Sequence, residues 1–127
     1  MATILIMEPD PQLRSRIHRL LTEEGHTCYA ANQISDGLQY INSHDRVLTV
    51  LNARTPWTDS FTFLKTLQEK GWPVLFMTAT PDNEAHLRAM YQCSCDVLML
   101  PCEDSDLTAA VDSLDRKSTR LNSSHAL

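Results

Sequence analysis

Three short apolar runs constrain this chain more than any other feature: Ile4-Leu5-Ile6-Met7, Val47-Leu48-Thr49-Val50-Leu51 and Val74-Leu75-Phe76-Met77. Each is almost continuously apolar instead of alternating, the pattern of a strand buried on both faces. A sheet covered on both faces needs helices between its strands, and the intervening segments supply them. Asp10-Pro11 is a helix start, because the carboxylate caps free N–H groups and proline suits the first helical position. Leu13, Ile17, Leu20 and Leu21 then recur at helical spacing, and Gly25 closes the segment. Ile34, Leu38 and Ile41 mark a second helix. Phe61, Leu64 and Leu67 mark a third, closed by Gly71. A fourth opens at Thr80-Pro81-Asp82 with a weak stripe (Ala85, Ala89, Met90), and Leu107, Ala110, Val111 and Leu114 mark a fifth. Strands are expected at residues 3–7, 26–30, 47–51, 73–77 and 96–100, and residues 55–59 read as a loop. The order βαβαβαβαβα implies parallel strands joined by right-handed crossovers, with helices on both faces.

The 127 residues suit one domain with one core, and 43% hydrophobic with 21% charged content is ordinary for a globular chain. No apolar run approaches the roughly 20 residues of a membrane helix. The N-terminus lacks a basic segment and meets Glu8 at once, so a cytoplasmic protein is expected, with Cys28, Cys93, Cys95 and Cys102 as reduced thiols. Net charge is −5, and no basic cluster occurs before the last residues, which argues against a nucleic-acid surface. The last stretch, from Asp115-Arg116-Lys117-Ser118 to His125, resembles one translated frame of a common sequencing adapter. The expected division is therefore a domain at residues 1–114 and an artefactual tail at 115–127. Without the tail's one acid and three bases, the chain holds 15 acids and 8 bases, a net charge of −7.

In an open parallel sheet, reactive groups gather at the carboxyl ends of the strands. Those ends bring Glu8-Pro9-Asp10, Asn52, Thr78-Ala79 and Leu100-Pro101 together. Asp10 reads as a helix cap before it reads as a metal acid. Asn52 reads as a strand-end amide bonded to the next loop, before a ligand-holding group, and Thr78 serves equally as a structural hydroxyl. Cys93, Cys95, Cys102 and His86 fit no strong zinc spacing, so no metal site is expected. His18, within an α/β pattern and not a helical bundle, reads as an exposed or partly packed helix residue before a phosphotransfer histidine. Trp57 either covers the mouth of the strand-end pocket, makes a partner contact or packs locally in its loop. The loops after the first and third strands lack glycine-rich phosphate cradles, which counts against a flavodoxin-like binder of small molecules.

Over residues 2–114 the chain resembles the receiver domain of bacterial response regulators. The resemblance rests on Ile4-Leu5-Ile6-Met7-Glu8-Pro9-Asp10-Pro11, on Leu51-Asn52-Ala53-Arg54-Thr55-Pro56 with Asp59, on Pro73-Val74-Leu75-Phe76-Met77-Thr78-Ala79, and on Asp96-Val97-Leu98-Met99-Leu100-Pro101. It implies a flavodoxin-like (βα)5 fold with strand order 2-1-3-4-5 and a cis bond at Leu100-Pro101. It also implies phosphoryl transfer from a histidine kinase to an aspartate, assisted by Mg²⁺ on acidic side chains, a hydroxyl and a lysine.

Position by position, that chemistry is mostly missing. The phosphoacceptor position holds Asn52, which is neither charged nor a competent acceptor. Of the acidic positions, Glu8 is kept and Pro9 offers no side-chain ligand. Thr78 keeps the hydroxyl, Leu100 replaces the lysine, and Val97 replaces the aromatic residue that rotates on activation. The losses are electrostatically coherent, since two acids and one base go together. The expectation is a non-enzymatic, degenerate receiver in two-component signalling, with Mg²⁺ binding weak or absent. It would act by contact with a histidine kinase, an output domain or a second copy, through the fourth helix, fifth strand and fifth helix, with no membrane or nucleic-acid role. The alternatives are a receiver phosphorylated at a non-standard site and a small-molecule binder.

Overall fold

The computed structural model describes residues 1–54, 57–80, 91 and 95–125, with the side chains of residues 57–61 and 118–125 outside the description. Five strands form one parallel sheet: β1 (Thr3–Met7), β2 (Thr27–Ala30), β3 (Leu48–Asn52), β4 (Val74–Thr78) and β5 (Cys95–Met99), in the order β2-β1-β3-β4-β5. The helices are α1 (Pro11–Glu23), α2 (Ile34–Asn42), α3 (Trp57–Lys70) and α4 (Asp104–His125). The last of these is the fifth helix of the sequence reading, because the expected fourth falls on residues 81–90, outside the described residues.

The strand pleat sorts the core into two layers. Leu5, Met7, Leu51, Val74 and Phe76 point to one face and pack with Ile41 of α2 and Phe63, Leu64 and Leu67 of α3. Ile4, Ile6, Val50, Leu75 and Met77 point to the other and pack with Ile17 and Leu21 of α1 and Leu107, Val111 and Leu114 of α4. β1, β3 and β4 therefore carry apolar residues on both faces, as their unbroken runs require. Asp10 caps α1 through its side chain, accepting from the Gln12 N–H at 3.2 Å, and Pro11 is the first helical residue. Gly25 and Gly71 follow α1 and α3 with φ of 95° and 71°, a left-handed conformation that glycine adopts without strain.

One expectation is corrected. Residues 57–59 are the first turn of α3 and not a loop. The apolar stripe that marked this helix begins only at Phe61, whereas its first turn, Trp57-Thr58-Asp59-Ser60, is polar apart from Trp57 and gives no apolar repeat for periodicity to register. The fifth helix of the sequence reading runs from Asp104 to His125. Asp115 lies on this continuation, where its carboxylate pairs with Arg46 Nη1 at 3.0 Å. Strand ends move by about one residue, which places Asn52 and Thr78 inside β3 and β4 as their last members. The Leu100-Pro101 bond is cis.

Candidate functional site

At the carboxyl ends of β1, β3 and β4, three polar side chains are buried side by side: Glu8, Asn52 and Thr78, each 2–3% exposed. Parallel pairing puts them there, since Met7 is level with Leu51 and Asn52 with Met77. Buried polar groups of this kind need partners. The Asn52 carboxamide Nδ2 donates to Glu8 Oε1, and its Oδ1 accepts from the Arg54 backbone N–H at 2.8 Å. Glu8 Oε2 accepts from the Asp10 N–H at 3.0 Å. The Asn52 amide thus bonds to the loop after its strand, as read from sequence, and also reaches across to β1.

The charge of Glu8 is met from outside the strands. Arg54, two residues beyond Asn52, places Nη2 3.9 Å from Glu8 Oε2. Arg14 of α1 donates to the Glu8 backbone carbonyl at 3.2 Å. Arg54 is largely exposed, so its pairing is screened and modest. It is nonetheless the cation at the mouth of the site, and apolar periodicity gave no signal for it. The one available signal is its place, two residues past a buried strand end where the chain must turn back.

The remaining candidates separate. Thr78 Oγ1 accepts from the Thr80 N–H at 3.1 Å, the geometry of a hydroxyl closing its own loop. Asp10 is spent on the α1 cap, and Pro9 is exposed with no donor or acceptor on its side chain. Val97 packs into the α2–α3 layer and Leu100 into the α1–α4 layer, each half-buried. Neither reaches the site as a polar group. His18 is half-buried on α1, and Trp57 belongs to α3 with its side chain outside the described residues. His86 and Cys93 lie outside them altogether. Cys95 Sγ donates to the Tyr91 carbonyl at 3.6 Å. Burial raises the Cys28 thiol above its ordinary value, opposed by a contact with Thr22. It does the same to Cys102, opposed chiefly by the Arg16 guanidinium. Among the described residues no cluster of His, Cys, Asp and Glu could hold a metal ion. Nor is any described helix long and apolar enough to cross a membrane.

Known proteins share this layout. The family model of the response regulator receiver domain matches residues 4–112. The chain is 28% identical over 111 residues to the DNA-binding transcriptional regulator NtrC of Proteus hauseri, covering 86% of this chain and 24% of that protein. It is 29% identical over 119 residues to the transcriptional regulatory protein PcoR of Escherichia coli, covering 92% of this chain and 53% of that protein. The chain therefore spans about a quarter to about half the length of these relatives. Among solved structures, the response regulator TrrA of Thermotoga maritima, in complex with Mg²⁺-BeF, superposes with a TM-score of 0.74 at 19% identity, covering 90% of this chain and 99% of that one. At that identity the likeness is one of fold.

Proposed function

The chain belongs to the response regulator receiver family, and from that premise we propose that it is a receiver whose output does not depend on aspartyl phosphorylation. It works in two-component signalling by protein contact, as a non-enzymatic module in the cytoplasm. The observation that carries this reading is the Asn52–Glu8 hydrogen bond. A carboxamide that donates to the neighbouring carboxylate is a settled structural partner, and it has no nucleophilic oxygen anion to offer a phosphoryl group.

The residues present do not fit Mg²⁺. That ion demands several hard oxygen ligands in octahedral array. Among the described residues Glu8 is the single buried carboxylate of the site. Both its oxygens already accept hydrogen bonds, and Arg54 stands where a cation would approach. Pro9 and Leu100 supply neither a second acid nor a balancing lysine. Partners follow from the family: a histidine kinase, an output domain of the kind that makes the curated relatives longer than this chain, or a second copy. The face that includes β5 and α4 is the expected contact surface. The tail from Asp115 is proposed to be adapter-derived, outside the receiver proper.

Incubation of the chain with Mg²⁺ and a small phosphodonor such as acetyl phosphate, followed by intact-mass measurement, tests the reading. No phosphoryl adduct is expected under conditions that label an ordinary receiver. A hydroxylamine-sensitive adduct, the mark of an acyl phosphate, would sink it.

A further inference from the structure

The outer edge of the sheet opposite β5 carries an aromatic ladder that the receiver chemistry does not use. Tyr29 of β2 stacks on Tyr40 of α2 with ring centroids 4.7 Å apart and planes 6° from parallel. Tyr40 stacks in turn on His44, at 4.0 Å and 28°. The middle ring is thereby covered on both faces, while Tyr29 remains 36% exposed, an exposed large side chain on a strand. The Tyr29 hydroxyl donates to Asp36, 2.8 Å from each carboxylate oxygen, and so fixes that carboxylate at the rim of its own ring. Tyr29 and Asp36 line a shallow cavity of about 300 Å³ with Gln39, Tyr40 and Ser43. Positions 36, 39, 40 and 43 form one helical stripe, so the cavity is a groove between α2 and β2.

The charge of this groove is one-sided. Asp36 has no ion-pair partner among the described residues. None of the lining side chains is cationic, and the chain as a whole carries −5. A carboxylate held beside an open aromatic face is the chemistry that attracts a desolvating cation. A guanidinium fits better than an ammonium. It is planar, stacks parallel to a ring, and presents a fork of N–H donors to a carboxylate in the same plane. The geometry also favours a protein carrier over a free cation. Among the described residues β2 pairs only with β1, so the outward edge beside the groove offers open backbone groups to an approaching chain.

We infer that the groove between α2 and the open edge of β2 docks an arginine side chain of a protein partner, stacked on Tyr29 and paired with Asp36. This surface lies at the opposite end of the sheet from the β5 edge and does not depend on the chemistry at Asn52.

The test titrates the full chain with the peptide acetyl-Gly-Arg-Gly-Arg-Gly-amide while following the tyrosine ring signals by NMR. The control peptide carries citrulline, a neutral isostere, in place of arginine. Saturable shifts of Tyr29 and Tyr40 are expected, with at least about tenfold weaker response to the citrulline peptide. Asp36→Asn leaves the ladder in place and is expected to weaken binding by about tenfold. Tyr29→Thr keeps a strand-forming residue on the edge and is expected to remove the response at Tyr40. Unchanged Phe63 signals in both variants report an intact core. Equal responses to the two peptides, or an Asp36→Asn variant that binds as well as the parent, would overturn the inference. Choline acting at lower concentration than the peptide would also overturn it, in favour of a small quaternary ammonium ligand.

Discussion

Glu8 shows how a buried carboxylate at a strand end is held by its neighbours. Its carboxylate is buried and satisfied by one carboxamide, one backbone N–H and one peripheral guanidinium. Restoring an acid beside it, as Asn52→Asp, replaces a donor by a second carboxylate with no cation of matching strength. Two carboxylates in contact cannot both ionise cheaply, so one of them titrates above its unfolded value. A raised carboxylate subtracts stability once the pH exceeds the unfolded value of about 4 and subtracts more as the pH rises. Asn52→Asp is therefore expected to lower stability at pH 7.5 by about 1–3 kcal/mol and to recover much of it near pH 5. Chemical denaturation at the two pH values measures this. The same variant is expected to gain no phosphoryl adduct from acetyl phosphate with Mg²⁺, because Pro9 and Leu100 remain. The thiols give a second pH dependence. Burial holds Cys28 and Cys102 above the ordinary thiol range. Their raised values favour the neutral form at pH 7–8, and both are expected to react with iodoacetamide more slowly than free cysteine in that range, with rates that climb as the pH is raised. Mass spectrometry of timed alkylation checks this. Glu8, Asn52 and Thr78 were all legible as strand-end polar residues. Arg54 was not, because its pairing depends on how the loop after β3 turns back over β1, which no periodicity encodes.

At the scale of elements, close approaches decide what each segment tolerates. Gly37 sits in the middle of α2, where a glycine costs roughly 1 kcal/mol relative to alanine. A Cβ there would stand 2.9 Å from Met7 Sδ and 3.2 Å from Phe63 Cε2, so the glycine lets α2 approach β1 and α3. Gly37→Ala is expected to be near neutral, as better helix propensity offsets a small shift of the Met7 side chain. Gly37→Val adds two methyl groups in a β-branched side chain at the same contact, and is expected to cost about 1–3 kcal/mol by overpacking. Thermal unfolding of the pair separates the two effects. His26 is the corresponding polar fastening. Its Nδ1 accepts from the Ala2 N–H at 3.0 Å, and Nε2 lies 3.5 Å from Asp112 of α4. Replacing His26 by Leu leaves a buried N–H without a partner and is expected to cost about 1–3 kcal/mol. Asp112→Ala removes only a long, half-exposed contact, so its cost should stay below 1 kcal/mol. Equal losses in the two variants would assign the energy to the Asp112 pair instead. Apolar spacing located every described helix, because α1, α2, α3 and α4 each bury a stripe against the sheet. It missed the first turn of α3, whose residues before Phe61 carry the polar pattern of a helix start. It also missed the Tyr29–Tyr40–His44 ladder, which joins residues of two elements that share no sequence pattern.

At the scale of the whole molecule, the fold and the proposed loss of phosphoryl chemistry rest on different observations. The family match over residues 4–112 places this chain with receivers, and the strand alternation behind its sheet and two-layer core was readable from the apolar runs. The strand order was not readable from those runs alone. It followed from the resemblance, since β1 pairs with both β2 and β3 through a reversal that pattern does not specify. The proposed loss of the phosphoryl site has a global thermodynamic consequence. A ligand that binds only the folded state adds stability by mass action, about 2.7 kcal/mol when present at a hundredfold its dissociation constant. For a domain of this size that gain raises the melting temperature by several degrees or more. TrrA, which shares this fold, is seen in complex with Mg²⁺-BeF. In the present chain Glu8 is already satisfied and Arg54 occupies the approach to it. Adding millimolar Mg²⁺ with beryllofluoride is therefore expected to leave the melting temperature where NaCl of equal ionic strength leaves it. Calorimetry of the chain in the two salts measures the difference. A rise of several degrees confined to the Mg²⁺-beryllofluoride sample would mean that the pocket opens to a cation and its phosphoryl mimic despite its internal pairing.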